Sequence, residues 1–184
     1  VGRGRLIPLD ALVKLGRGVS PRRPERPIAK IRHILEPRTV AVMGVSERMN
    51  PGRIILRNLL REGFPPERLF VVKAGLETLD GCPCVPDLPS LPQQVDLLVV
   101  AVSAQQVPGV ITAVVEHESA EGLIVIPGGL EEKSGTEELV AAMGEALKRS
   151  RRTTWGGPVI NGGNCLGIRS LPGKVDTMFI PEHK

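Results

Sequence analysis

The chain contains no tyrosine, one tryptophan and three phenylalanines. Its core is therefore aliphatic, and a surface that stacks nucleic-acid bases on aromatic rings is disfavoured. Long hydrophobic runs are missing as well. The longest, Val95–Val102, is interrupted by Asp96 and falls far short of the roughly 20 apolar residues a bilayer-spanning helix needs. Cysteine is scarce and odd in number, three in all. With no secretory signal, this argues against a disulfide-stapled scaffold and for a reducing, cytoplasmic setting. The three histidines, His33, His117 and His183, lie far apart, and no Ser/His/Asp order can be assembled from them.

What is present is an α/β composition. Of the 184 residues 41% are hydrophobic, and Gly (21) and Pro (17) are abundant, as in a domain with many tight strand–helix turns. The net charge of +4 is not spread evenly. Residues 1–27 carry Arg3, Arg5, Lys14, Arg17, Arg22, Arg23 and Arg26 against only Asp10 and Glu25, so the remainder is close to neutral. This Arg-, Pro- and Gly-rich stretch shows no sustained period and reads as a basic linker or disordered tail. A first residue of Val suggests a processed chain or a piece of a larger protein.

From Ile28 the chain becomes periodic. Ile28–Leu35 predicts a short helix that Pro37 ends. Thr39–Val45, Arg68–Lys73, Val95–Val102, Gly122–Ile126 and Pro158–Asn161 read as buried strands. Between them lie predicted helices. One opens at Asn50-Pro51, a cap followed by proline at the first helical position, and closes at Gly63. A second covers Val107–Glu118. A third, from a Ser134/Glu137 capping box to about Ser150, has Leu139, Ala142, Met143, Ala146 and Leu147 on its buried side. Leu76–Gln94, with Cys82-Pro83-Cys84, is expected to be a proline-rich surface loop. The Cys-x-Cys spacing has no second pair, so no metal site is expected. The adjacent Glu131 and Glu132 read as a solvated face. Alternating strands and helices define a doubly wound, Rossmann-like parallel sheet, one domain over 28–172, followed by an exit segment, 173–184.

Ligands in such sheets bind beyond the carboxyl ends of the strands. The first such loop, Gly44 to Arg53, precedes a helix amino terminus, where free backbone N–H groups and the helix dipole favour phosphate. Gly44 permits a tight turn, Gly52 a close approach to the ligand, Ser46 a hydroxyl contact, and Arg48 or Arg53 a forked contact to pyrophosphate. The loop lacks the G-x-G-x-x-G pattern of dinucleotide folds. The second strand ends in Lys73 where NAD-binding folds place an acid for the ribose 2′-hydroxyl. A cation there suits a ribose phosphate, which points to coenzyme A or NADP and away from NAD.

These stretches together resemble the CoA-binding domain of NDP-forming acyl-CoA synthetases, similar to the succinyl-CoA synthetase alpha subunit. The resemblance runs from Leu35-Glu36-Pro37-Arg38-Thr39-Val40-Ala41-Val42-Met43-Gly44-Val45-Ser46 through Gly81-Cys82-Pro83-Cys84, Val95-Asp96-Leu97, Val102-Ser103-Ala104 and Pro127-Gly128-Gly129-Leu130-Glu131 to Gly163-Asn164-Cys165-Leu166-Gly167-Ile168. It implies that Gly44, Ser46, Arg48, Gly52 and Arg53 cradle CoA phosphates and that Lys73 meets the nucleotide phosphate. It further implies that Ser103, Ala104 and Val107 line the cofactor, that Pro127, Gly128 and Gly129 follow the pantetheine arm, and that Asn164 and Cys165 lie near the thiol. Two positions depart from the family pattern. Gly162-Gly163-Asn164 stands for Gly-Pro-Asn, and Val72-Lys73-Ala74 for Val-Asn-Pro.

The implied reaction is acid + CoA + ATP to acyl-CoA + ADP + phosphate, through an acyl phosphate and a phosphohistidine. It needs phosphohistidine and ATP-grasp domains that are not in this chain, so the expected partners are further ligase domains or subunits, with a homo-oligomer as a candidate assembly. No catalytic residue is expected within the 184 residues themselves. The competing readings are a stand-alone CoA-binding regulatory protein, an NADP-dependent oxidoreductase domain, and a scaffold with a degenerate site.

Overall fold

A computed structural model describes residues 26–128 and 137–180. The expected basic tail, Gly129, the Glu131-Glu132 pair, the Ser134 cap and His183 lie outside the described residues, as does the Leu139 side chain.

After a 3-10 turn at Ile28–Lys30 comes the short helix α1 (Ile31–Leu35), and then the alternation begins. Its first members are β1 (Val40–Met43), α2 (Pro51–Arg61) and β2 (Leu69–Val72). Asn50 caps α2 as its sequence predicts, its side chain accepting the Arg53 N–H, with Pro51 at the first helical position. Two short strands follow, β3 (Thr78–Leu79) and β4 (Cys82–Val85). Then come β5 (Val95–Val100), α3 (Val107–His117), β6 (Ala120–Val125), α4 (Glu137–Ser150) and β7 (Val159–Asn161). A small antiparallel pair, β8 (Arg169–Ser170) and β9 (Val175–Asp176), closes the order.

The main sheet runs β3-β4-β2-β1-β5-β6-β7. Every pairing in it is parallel except β3 with β4. This is the doubly wound order, with β1 central and the direction of winding reversing between β1 and β5. Strand alternation divides the core between two faces. Val40, Val42, Val71, Leu97 and Val99 point to one side, where they meet Ile34 of α1, Ile55, Leu56 and Leu59 of α2, and Val175 of β9. Ala41, Phe70, Val72, Leu98 and Val100 point to the other, against Val107, Ile111 and Val114 of α3, with Met143 and Leu147 of α4 half-buried at its margin. All six positions of β5 are buried, as expected for a strand covered on both faces. Each fully buried Leu or Ile contributes roughly 2 kcal/mol relative to exposure.

Three expectations need correction. Leu76–Gln94 is not all loop. Asp80 and Gly81, both at positive φ (51° and 82°), form the two-residue turn of a β3–β4 hairpin, and β4 then joins the sheet alongside β2. Cys82 is therefore a fully buried core residue rather than part of a surface turn. Ala142, expected on the buried side of α4, is exposed, because α4 turns Met143, Ala146 and Leu147 towards α3 and the sheet instead.

The sides of the sheet are fastened by polar links. Lys30 reaches Glu121 at 2.5 Å, donates to the Trp155 and Gly157 carbonyls, and lies 4.7 Å from the centre of the Trp155 ring. His33 Nδ1 and the Arg38 N–H both lie 2.7 Å from the Asp96 carboxylate, joining α1 and its exit to the start of β5. Residues beyond 172 are also packed in. Arg61 meets Asp176 at 3.4 Å, Asn58 donates to the Met178 carbonyl at 2.6 Å, and Val175 and Thr177 are fully buried. Among the described residues no helix is long and apolar enough to cross a membrane.

A candidate cofactor site along the carboxyl edge of the sheet

The reversal between β1 and β5 is occupied by backbone in close contact. Gly44, directly after β1, has φ +91°, and a Cβ there would lie 2.4 Å from the Ala101 carbonyl oxygen at the end of β5. The chain then turns over the amino terminus of α2, and Asn50 holds that turn closed. Its Nδ2 donates to the Gly44 carbonyl at 2.7 Å, while its Oδ1 accepts the N–H groups of Ser46 (3.2 Å) and Arg53 (2.9 Å). Ser46 Oγ accepts the Arg48 N–H at 3.1 Å. The result is a short, internally bonded loop above a helix amino terminus. Asn50 reads in the sequence as a helix cap only; its second role, bonding two loop backbone groups, depends on the folded turn.

The two arginines of this loop differ. Arg48 is exposed, and its side chain makes no hydrogen bond or ion pair among the described residues. Arg53 is only 9% exposed. Its Nη2 lies 2.6 Å from Asp80 and its Nη1 donates to the Ser46 carbonyl at 3.2 Å. The guanidinium expected as a forked phosphate ligand is thus engaged inside the protein. Gly52 also differs from its expected role. A Cβ there would meet not open ligand space but the Gly44 carbonyl oxygen, at 2.6 Å. It is the close-packing glycine between helix and strand turn.

The remaining predicted residues lie in a row set by strand order. Lys73, at the end of β2, is half-buried and its backbone N–H bonds Val85. Its charge favours the thiolate of neighbouring Cys84, although burial is the larger influence and keeps that thiol raised. Ser103, after β5, is exposed and bonds Gln106 through its N–H (3.1 Å) and Oγ (2.9 Å), shaping the 3-10 turn Ala104–Gln106. Val107 is a correction. It is fully buried in the core beneath α3, so its side chain packs the helix and does not face a cofactor.

At the far end Pro127 and Gly128 adjoin Asn164. The Asn164 N–H bonds the Pro127 carbonyl at 3.0 Å, and a Cβ on Gly128 would lie 2.9 Å from the Asn164 side chain. Cys165 Sγ receives Asn161 Nδ2 at 3.3 Å and the Gly167 N–H at 3.4 Å. The tertiary structure thus brings Gly44, Ser46, Gly52, Arg53 and Ala101 into one cluster, and Pro127, Gly128, Asn164 and Cys165 into another. Along the order β2-β1-β5-β6-β7 the ends are four strand spacings apart, roughly 19 Å. Such an edge suits a long, extended ligand with a phosphate-bearing portion near β1.

Fold and site together define a Rossmann-like nucleotide-cofactor domain with a short, internally bonded loop over a helix amino terminus. The family described as "CoA binding domain" matches residues 38–170, and the chain belongs to that family. It is a CoA-binding domain resembling those of ADP-forming acetate–CoA ligases. Two such ligases of Archaeoglobus fulgidus, acetate–CoA ligase [ADP-forming] II and I, are 28% and 32% identical to it over 71% and 72% of the chain. The chain spans only 19% and 18% of their lengths. Among solved structures, the dinucleotide-forming acetyl-coenzyme A synthetase 1 of Ca. Korarchaeum cryptofilum, in complex with phosphate and ADP, superposes with a TM-score of 0.68 at 29% identity. That match covers 82% of this chain and 31% of that one. A Pyrococcus horikoshii OT3 protein superposes at 0.65 with 21% identity and supports the fold alone.

Proposed function

We propose that this domain binds coenzyme A lengthwise along the carboxyl edge of its sheet and presents the cofactor's thiol to an acyl donor, as one part of an NDP-forming acyl-CoA synthetase in the cytoplasm. The observation that carries the reading is the Gly44–Asn50 loop, closed by Asn50 over the start of α2 and flanked by Lys73 on one side and Ala101–Ala104 on the other.

The residues present fit a long phosphorylated nucleotide. Backbone of the loop, with Ser46 and Arg48, would hold the pyrophosphate, and Lys73 the ribose phosphate. Ser103, Ala104, Pro127 and Gly128 would border the arm, with Gly129 next in sequence, and Asn164 and Cys165 would stand near the thiol end. Coenzyme A would supply the sulfur that becomes the thioester. The chain's own contribution is orientation, converting a bimolecular encounter into a positioned one. Acid activation, phosphoryl transfer and nucleotide binding would belong to ligase and ATP-grasp domains or subunits, giving acid + CoA + ATP to acyl-CoA + ADP + phosphate.

Calorimetric titration with CoA, dephospho-CoA and NADP tests this. CoA should bind, and loss of the 3′-phosphate should weaken binding about tenfold, ~1.4 kcal/mol. Lys73→Ala should erase that difference while leaving dephospho-CoA affinity unchanged. Preferential binding of NADP would move the oxidoreductase reading into first place. An unchanged CoA preference in Lys73→Ala would remove Lys73 from the site.

A further inference from the structure

Asp80 stands at the tip of the β3–β4 hairpin, outside every loop that follows a central strand, yet it reaches into the phosphate loop through another side chain. The Asp-Gly turn fixes its place, since both turn residues adopt positive φ and Asp and Gly tolerate that conformation. From there its Oδ1 lies 2.6 Å from Arg53 Nη2 and its Oδ2 3.3 Å from Arg57 Nε. Arg53 in turn bonds the Ser46 carbonyl. Its Nε is buried without a partner, so the guanidinium is held by these two contacts. A guanidinium this buried is not stable without its carboxylate.

We propose that Asp80 is a positioning residue for the phosphate loop. It holds Arg53 beneath the loop and through it the Ser46 carbonyl, without touching the ligand. The identity of that ligand rests on the CoA reading above; the linkage rests on the geometry. Without the Asp80 charge, Arg53 swings towards solvent and Ser46–Arg48 loses its lower anchor. The hairpin beside Lys73 and the loop beside Ala101 are thereby coupled, so the phosphate cradle is set partly from the edge of the sheet.

The test compares wild type, Asp80→Asn, Arg53→Met and the double variant for binding of CoA and dephospho-CoA. Asp80→Asn should weaken both ligands about tenfold and by the same factor, because both carry the pyrophosphate. On the Arg53→Met background it should have less than a twofold further effect, because the two residues act as one unit. A tighter complex in Asp80→Asn, a loss confined to CoA, or a full loss retained without Arg53 overturns the proposal.

A second measurement needs no ligand. Native-state exchange of the Ser46 and Arg48 amides should accelerate at least tenfold in Asp80→Asn, and unchanged exchange overturns the proposal. That readout decides the matter if Arg53→Met does not fold. If wild type binds no CoA, it separates failure of the ligand assignment from failure of the linkage.

Discussion

Gly52 lies against the carbonyl of Gly44, so close that a Cβ on the former would sit 2.6 Å from the oxygen of the latter. The first turn of α2 and the turn leaving β1 therefore share one van der Waals surface. The helix amino terminus can come down onto the loop only because neither partner carries a side chain in the gap. Gly44 is itself confined from the opposite side by Ala101. The Gly44–Asn50 loop is thus squeezed between α2 and the end of β5, which fixes its shape.

Gly52→Ala should be destabilising despite alanine's better helix propensity. Propensity favours Ala by up to about 1 kcal/mol, but displacing a packed backbone carbonyl costs about 2–3 kcal/mol. A net loss of about 1–2 kcal/mol in urea unfolding is expected, with CoA affinity down at least tenfold as α2 is pushed from the loop. A variant as stable as wild type, with full affinity, would mean that this contact does not shape the site.

Asp96 makes stability depend on acid. Its burial alone would raise the carboxyl, but the Arg38 N–H and guanidinium and the His33 ring hold it below the ordinary value. A group whose folded pKa is depressed contributes stability above its unfolded value, about 3.9 for Asp, and that contribution is lost as pH falls through the folded value. Asp96→Asn should therefore cost about 2 kcal/mol at pH 7, and the gap from wild type should begin to narrow as pH falls below about 4. A gap that stays constant down to pH 3, measured by urea unfolding, would show that the charge is not what stabilises this corner.

Cys82 should be chemically silent in the folded protein. Burial, the Asp80 carboxylate and neighbouring Cys84 push its thiol up to about 11, so at pH 8 about a thousandth is thiolate. Iodoacetamide labelling followed by peptide mass analysis should find Cys82 modified only after denaturation. Labelling at the same rate with and without denaturant contradicts the buried placement.

Much of this was legible without coordinates, for identifiable reasons. β-branched runs such as Val40–Met43 and Val95–Val100 are buried on both faces, and continuous apolar sequence is their signature. Asn50-Pro51 marked the start of α2 because a cap and a first-turn proline are local requirements. The β3–β4 hairpin was also written in the chain, as Asp80-Gly81. The prolines of 76–94 point to loop, yet Pro83 is accommodated in short β4 at the edge region of the sheet.

The sequence by itself determined the fold class and the loops in which a cofactor contact must be sought, because periodicity, capping and turn chemistry act over a few residues, while the family resemblance rested on the order of its motifs. Only the tertiary structure decided the employment of individual side chains. Whether Arg53 faces a phosphate or Asp80, whether Gly52 faces ligand or Gly44, and whether Val107 faces cofactor or core depend on groups 27 residues away, 8 residues away, or on the opposite strands. Burial and charge pairing are long-range in sequence. A buried guanidinium must take the nearest carboxylate the fold delivers, and no local pattern says which one that is.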